Sequence, residues 1–262
     1  MPRSLGPTSP LLLLALFVGD PAVAANDSTK PTAAEPPAAA RPLALESADG
    51  VAVSADLYEA AGAKAAPIVL LFHQAGSNAA EYATIAPRLV RLGFSGLAID
   101  LRAGGRLWGR NNRTVLQLGR SSEFHAAYAD MEAALEWARA QGYPRILAWG
   151  SSYTAALVFR LAAEHSDVAA VLSFSPGEYL GPGEPVRERA AQVRVPIFVT
   201  SATGHEVDTA RWILAASPAE TKIQHVPTIG VHGSSTLRED RNPGGTDENW
   251  AAVEVFLSSF VN

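Results

Sequence analysis

Cysteine is absent from this 262-residue chain, so no disulfide scaffold can hold it and no lipid-bearing cysteine can anchor it. Its stability must come from the core alone. Basic charge is unfocused: the net charge is −5 and the basic residues are scattered, which leaves no footprint for nucleic acid. There is no His-Glu-x-x-His or comparable grouping of metal ligands, and His205-Glu206 are neighbours with poor geometry for a shared ion. No Gly-x-Gly-x-x-Gly opens the first strand–helix turn, which removes a dinucleotide-binding reading. The apolar run at residues 11–18 is too short to span a membrane comfortably, so no stable insertion is expected.

That run has another use. Arg3 precedes it and Ala22-Val23-Ala24-Ala25 follows, the layout of a cleavable secretory signal over residues 1–25. The expected location is secreted or periplasmic. Residues 26–42 are rich in Ala, Pro, Ser and Thr without apolar period, as a linker would be. The folded domain is expected over residues 43–262.

Hydrophobic residues make up 48% of the chain, enough for a sizeable core. Strands at 43–47 and 51–58 flank Asp49-Gly50, a hairpin signal. Beyond them strands and helices alternate. Strands are expected at 67–72, 94–99, 145–149, 168–174, 196–201 and 222–226, and helices at 79–92, 123–141, 152–165, 207–216 and 247–261. Residues 102–122 read as a loose, glycine-rich stretch, and residues 175–186 replace a helix with a short cap. This order predicts an α/β fold: a mostly parallel sheet of about eight strands, helices on both faces and an N-terminal antiparallel hairpin.

In such a sheet the reactive groups lie on loops at the carboxyl ends of the strands. Trp149-Gly150-Ser151-Ser152-Tyr153-Thr154 joins an apolar strand directly to a small-residue helix, the pattern of a nucleophile elbow. Thr154 stands where Gly-x-Ser-x-Gly expects glycine. Read alone, the segment could equally be a turn in which Ser151 or Ser152 caps the helix. Later loops add Gly204-His205-Glu206-Val207-Asp208 and Gly230-Val231-His232-Gly233. Serine, acid and histidine thus follow one another along one rim, with Glu206 and Asp208 both available as the acid.

With the elbow, His73-Gln74-Ala75-Gly76 and Gly230-Val231-His232-Gly233-Ser234, the chain resembles α/β-hydrolase-fold serine hydrolases, most closely the dienelactone-hydrolase-like and esterase branches, over roughly residues 43–262. The resemblance implies cofactor-free cleavage of a small-molecule carboxylic ester or lactone by a Ser152–His232–acid triad, with Glu206 nearer than Asp208 to the family's acid. It places oxyanion donors at the amides of Tyr153 and Ala75 and gives His73 a structural role. The family usually shows His-Gly where this chain has His73-Gln74, so Gln74 is a departure and a candidate for touching substrate. Trp108, in the long loop, is a candidate pocket wall. His125, His165 and His225 read as surface or helix positions. The rival expectations are a catalytically silent binding protein of the same fold and a serine peptidase or amidase.

Overall fold

A run such as Ile68-Val69-Leu70-Leu71-Phe72 has no polar face to offer water, so as a strand it must be covered on both sides. In the computed structural model, which describes residues 39–62 and 65–261, that run is a fully buried strand near the middle of an eight-stranded sheet. The strands are β1 (Arg41–Glu46), β2 (Ala52–Tyr58), β3 (Ile68–Phe72), β4 (Ser95–Ile99), β5 (Ile146–Ser151), β6 (Val168–Phe174), β7 (Ile197–Thr200) and β8 (Lys222–His225). The helices are α1 (Ala86–Arg91), α2 (Arg113–Leu118), α3 (Tyr128–Ala140), α4 (Tyr153–Glu164), α5 (Val186–Ala190), α6 (His205–Leu214) and α7 (Thr246–Leu257). The order across the sheet is β1-β2-β4-β3-β5-β6-β7-β8. β1, β2 and β4 pair antiparallel, and every other neighbour is parallel.

Alternation along each strand divides the core in two. Ile68, Leu70 and Phe72 face one layer with Met131 and Leu135 of α3, Leu157 and Phe159 of α4 and Ile213 of α6. Val69 and Leu71 face the other with Leu89 of α1 and Trp250, Val253 and Phe256 of α7. Between β5 and β6 the register shifts at Ile146/Leu147, after which pairing runs evenly to Ser151↔Phe174.

Several boundaries differ from the sequence pattern. The helix expected over 79–92 is a 3-10 turn, Ala79–Tyr82, followed by α1. Pro87 sits in the first turn of α1, where its missing N–H costs nothing; farther inside a longer helix it would break the ladder. The helix expected over 123–141 opens as a 3-10 turn, Phe124–Ala127, which stacks Phe124 on Tyr153 at 4.4 Å before α3 begins. The loose stretch contains α2, capped by Asn112 and stopped by Gly119 at φ 73°. α6 starts at His205 rather than at 207, because the break falls at Gly204 (φ 82°). His225 is on strand β8 and half-buried, not on a helix or the open surface. The expected signal segment, residues 1–25, and the expected linker as far as residue 38 lie outside the described residues. Arg41 and Pro42, placed in the linker by composition, belong to β1, where Arg41 pairs with Leu57 and Pro42 with Asp56; an edge strand tolerates proline.

Candidate active site

β5 ends at Ser151 and α4 begins at Tyr153, so Ser152 alone must turn the chain. It does so at φ 61° and ψ −119°, a strained conformation for a side chain with a Cβ, costing on the order of 1–3 kcal/mol. Two neighbours hold it there. A Cβ on Gly150 would lie 2.3 Å from the Thr154 carbonyl, so glycine is obligatory before the turn. The Thr154 hydroxyl accepts the Ser151 amide at 2.7 Å and lies 2.8 Å from the Phe72 carbonyl, to which it can donate. It joins the elbow to β3, which a glycine at 154 could not do.

The loops after β7 and β8 converge on this turn. His232 Nε2 is 2.8 Å from Ser152 Oγ, and His232 Nδ1 is 2.9 Å from Glu206 Oε1. With Nδ1–H donated to the carboxylate, Nε2 keeps the lone pair that can take the serine proton. Burial raises the proton affinity of Glu206, but hydrogen bonds from His232, Ser175 and the Ala202 amide outweigh it and hold the carboxyl at about 2. The Ala202 amide donates to Oε2 at 3.1 Å. Asp208, two residues further along α6, is exposed and pairs with Arg211 instead. Of the two acids, the structure brings only Glu206 to His232.

Three serines set the histidine loop, and sequence reasoning assigned none of them this task. Gly233 N–H donates to Ser175 Oγ at 2.9 Å, and Ser234 N–H donates to Ser151 Oγ at 2.9 Å. Trp149 Nε1–H donates to Ser234 Oγ at 2.9 Å. The partners lie 58 to 85 residues apart, so no local pattern reveals them. Ser175 shares the positive φ of Ser152, at 58°, and its only sequence signal is its place at the carboxyl end of a buried strand. Between these anchors Gly233 has φ 70°, and a Cβ there would fall 2.5 Å from Ser151 Oγ. Gly233→Ala is expected to lower stability by about 2 kcal/mol, read as a shifted urea midpoint, and to reduce turnover by displacing His232.

Across from the elbow, His73 is fully buried. Its Nδ1–H donates to the Gln74 carbonyl at 2.8 Å, and its Nε2 accepts the Leu101 amide at 3.0 Å, with Asn112 Nδ2 at 3.3 Å. The ring ties the loop after β3 to the loop after β4 and does not reach Ser152. Burial holds its pKa down to about 4. An unfolded chain's histidine titrates near 6.5, so between pH 6.5 and 4 the unfolded state binds more protons and stability falls as pH falls. We expect a loss of about 3 kcal/mol across that window, measured by urea unfolding at pH 7 and pH 4. His73→Gln should lose this component of the pH dependence.

Gln74, Leu107, Trp108, Val231, His232, Ser235 and Arg241 line a cavity of about 340 Å³ beside the histidine. Trp108 donates its indole N–H to Ser77 Oγ at 2.8 Å and lies against the guanidinium groups of Arg238 and Arg241, 4.1 and 5.3 Å from its ring centre. The Ala75 amide makes no hydrogen bond among the described residues, whereas the Gln74 amide is taken by Glu81. The Tyr153 amide is the first in α4, where no intrahelical acceptor exists. Among the described residues, Glu132, Glu164 and His165 could group around a cation, but they lie where the end of α4 meets α3, at the opposite end of α4 from Ser152, with Glu164 already bound by Tyr128, Arg160 and Arg189.

A mostly parallel eight-stranded sheet, a serine on a strained strand–helix turn and helices on both faces define an α/β hydrolase. The chain belongs to the family described as serine aminopeptidase, S33, which matches residues 63–213. No match is found among curated proteins. Among solved structures, the Pyrococcus furiosus esterase Pf2001 is 17% identical with a TM-score of 0.66, over 85% of this chain and 93% of that one. A dienelactone hydrolase from Anabaena variabilis is 16% identical with a TM-score of 0.65, over 85% and 98%. The Pyrococcus horikoshii acylaminoacyl peptidase is 14% identical with a TM-score of 0.62, over 85% of this chain and 41% of that one. At these identities the likeness is one of fold.

Proposed function

We propose that the protein is a secreted serine hydrolase that cleaves small carboxylic esters or lactones through an acyl-enzyme. The reading rests on one observation above others: Ser152 Oγ lies 2.8 Å from His232 Nε2 while Nδ1 lies 2.9 Å from Glu206. In the proposed cycle Nε2 takes the Ser152 proton as Oγ attacks the acyl carbonyl. His232 then returns that proton to the leaving alkoxide, and water repeats the sequence to free the acid. Glu206 stays ionised and stabilises the imidazolium. The developing oxyanion is assigned to the amides of Tyr153 and Ala75. Gln74 and Trp108 are assigned to the substrate pocket.

The family's description favours a second reading, an aminopeptidase. Such an enzyme must seat a free ammonium beside the scissile bond, which calls for a carboxylate in the pocket. Among the described residues, no carboxylate lines the cavity, and the permanently charged side chain on its wall is Arg241, a cation that repels an ammonium. The ester reading is therefore preferred. Purified protein should be labelled by a fluorophosphonate and hydrolyse short-chain aryl esters faster than aminoacyl anilides. Absence of both labelling and ester turnover would favour a silent binding protein, and faster anilide cleavage would favour the peptidase. Secretion rests on the pattern of residues 1–25 and is tested by N-terminal sequencing of exported protein, expected to begin after Ala24 or Ala25.

A further inference from the structure

Glu81 is an ionisable side chain with no exposure to solvent, on the 3-10 turn Ala79–Tyr82, and the acyl-transfer scheme makes no use of it. A buried carboxyl group is costly unless its contacts compensate. Burial pushes its pKa up; its Oε1 has no hydrogen-bond partner among the described residues, so the hydrogen bonds gather on Oε2, with the Ser151 hydroxyl and the Arg238 guanidinium also favouring the ionised form. That oxygen accepts the Gln74 amide at 3.0 Å and the Ser77 hydroxyl at 2.8 Å. Both donors belong to the loop after β3, which carries the Ala75 amide.

The geometry of a peptide explains why this matters. Across a trans peptide bond C=O and N–H point in opposite directions. The Gln74 carbonyl is held from two sides, by His73 Nδ1 at 2.8 Å and by the Ser77 amide at 3.3 Å. The Ala75 N–H at the other end of that peptide is thereby fixed in direction and is left without a protein partner. The preceding amide, on Gln74, is turned to Glu81. Of two successive N–H groups, one is anchored and the other is free for a ligand. Removing the carboxylate would strand the Gln74 amide, and the loop could relieve it only by rotating or shifting its peptides, which would move Ala75 as well. Ser77 also receives the Trp108 indole N–H at 2.8 Å, so the same anchor reaches the pocket wall.

We propose that Glu81 is a positioning residue for the oxyanion hole: by holding the Gln74 amide and the Ser77 hydroxyl, it fixes the Ala75 amide for the tetrahedral intermediate. This rests on the ester-hydrolase reading above. What Glu81 supplies is an acceptor oxygen in a fixed place, so a glutamine, whose amide oxygen can accept the same two bonds, should serve nearly as well.

The test uses the full chain as wild type, Glu81→Leu and Glu81→Gln. Each protein is titrated to completion with a fluorophosphonate, and kcat and KM for an aryl ester are expressed per labelled site. Glu81→Leu is expected to lose about 100-fold in kcat with KM changed by less than about threefold, while Glu81→Gln stays within about fivefold of wild type. The proposal is overturned if Glu81→Leu keeps its kcat per labelled site and loses only labelled fraction, which would be a purely structural role. It is also overturned if Glu81→Gln falls as far as Glu81→Leu. Should Glu81→Leu not fold, Ser77→Ala removes one of the two anchored donors, and an unchanged kcat there counts against the proposal. If wild type is labelled but cleaves no ester, the ester reading fails by itself. Glu81 is then judged on the phosphonylation rate, and an equal rate in wild type and Glu81→Leu overturns it. If wild type is not labelled, both readings fall together.

Discussion

Ser152→Ala is expected to lower kcat for an aryl ester by about 10⁶-fold and to abolish fluorophosphonate labelling. The magnitude follows from removing the attacking atom while leaving the oxyanion donors, whose residual contribution in such sites is about 10³–10⁴-fold over water. Ser151 cannot take over. Its hydroxyl is buried and accepts the Ser234 amide at 2.9 Å, on the histidine loop's anchoring side rather than in the cavity. Ser151→Ala should accordingly remain labelled, though slower if the loop loosens. Labelling that survives Ser152→Ala would remove the nucleophile assignment.

Exchanging Glu206 for glutamine should lower kcat by about 10⁴-fold, whereas Asp208→Asn should leave it within about twofold. The glutamine keeps the shape of the contact but can turn an NH₂ toward His232 Nδ1. The imidazole would then carry its proton on Nε2, facing Ser152 Oγ, where it cannot act as a base. Asp208 projects into solvent beside Arg211 and touches neither group. Equal losses in the two variants, or a larger loss in Asp208→Asn, would reassign the acid. Steady-state kinetics on the purified variants reads the difference directly.

The parts of this molecule that were readable from its residues are those governed by local rules. Ile68–Phe72 and Val168–Phe174 show as apolar runs, and the candidate serine, glutamate and histidine show because each closes or follows a strand. α2 does not show, since Thr114 is its only buried residue and it carries no apolar stripe. The break before α1 was signalled by Pro87, yet the apolar spacing on either side concealed it. Thr154 looked like a flaw in the elbow because its value lies in a bond to β3, 82 positions away in sequence. Glu81 was hidden for a different reason: a charged residue within an amphipathic stretch reads as solvent-facing, and only the fold turns it inward.

The register shift at Ile146/Leu147 bears on how such a site can change over time. Beyond it β5 counts evenly to its end, and that count decides which of two chemically identical neighbours, Ser151 or Ser152, reaches the turn. Adding or deleting one residue between Leu147 and Gly150 would reverse the strand's parity, turning Ser151 toward the cavity side and Ser152 into the wall. The extra residue at the shift, Ala169, is carried by β6, while β5 pairs evenly with β3 from Ile146 to Gly150, so the sheet takes up a single-residue irregularity on β6 and leaves the count that separates Ser151 from Ser152 intact.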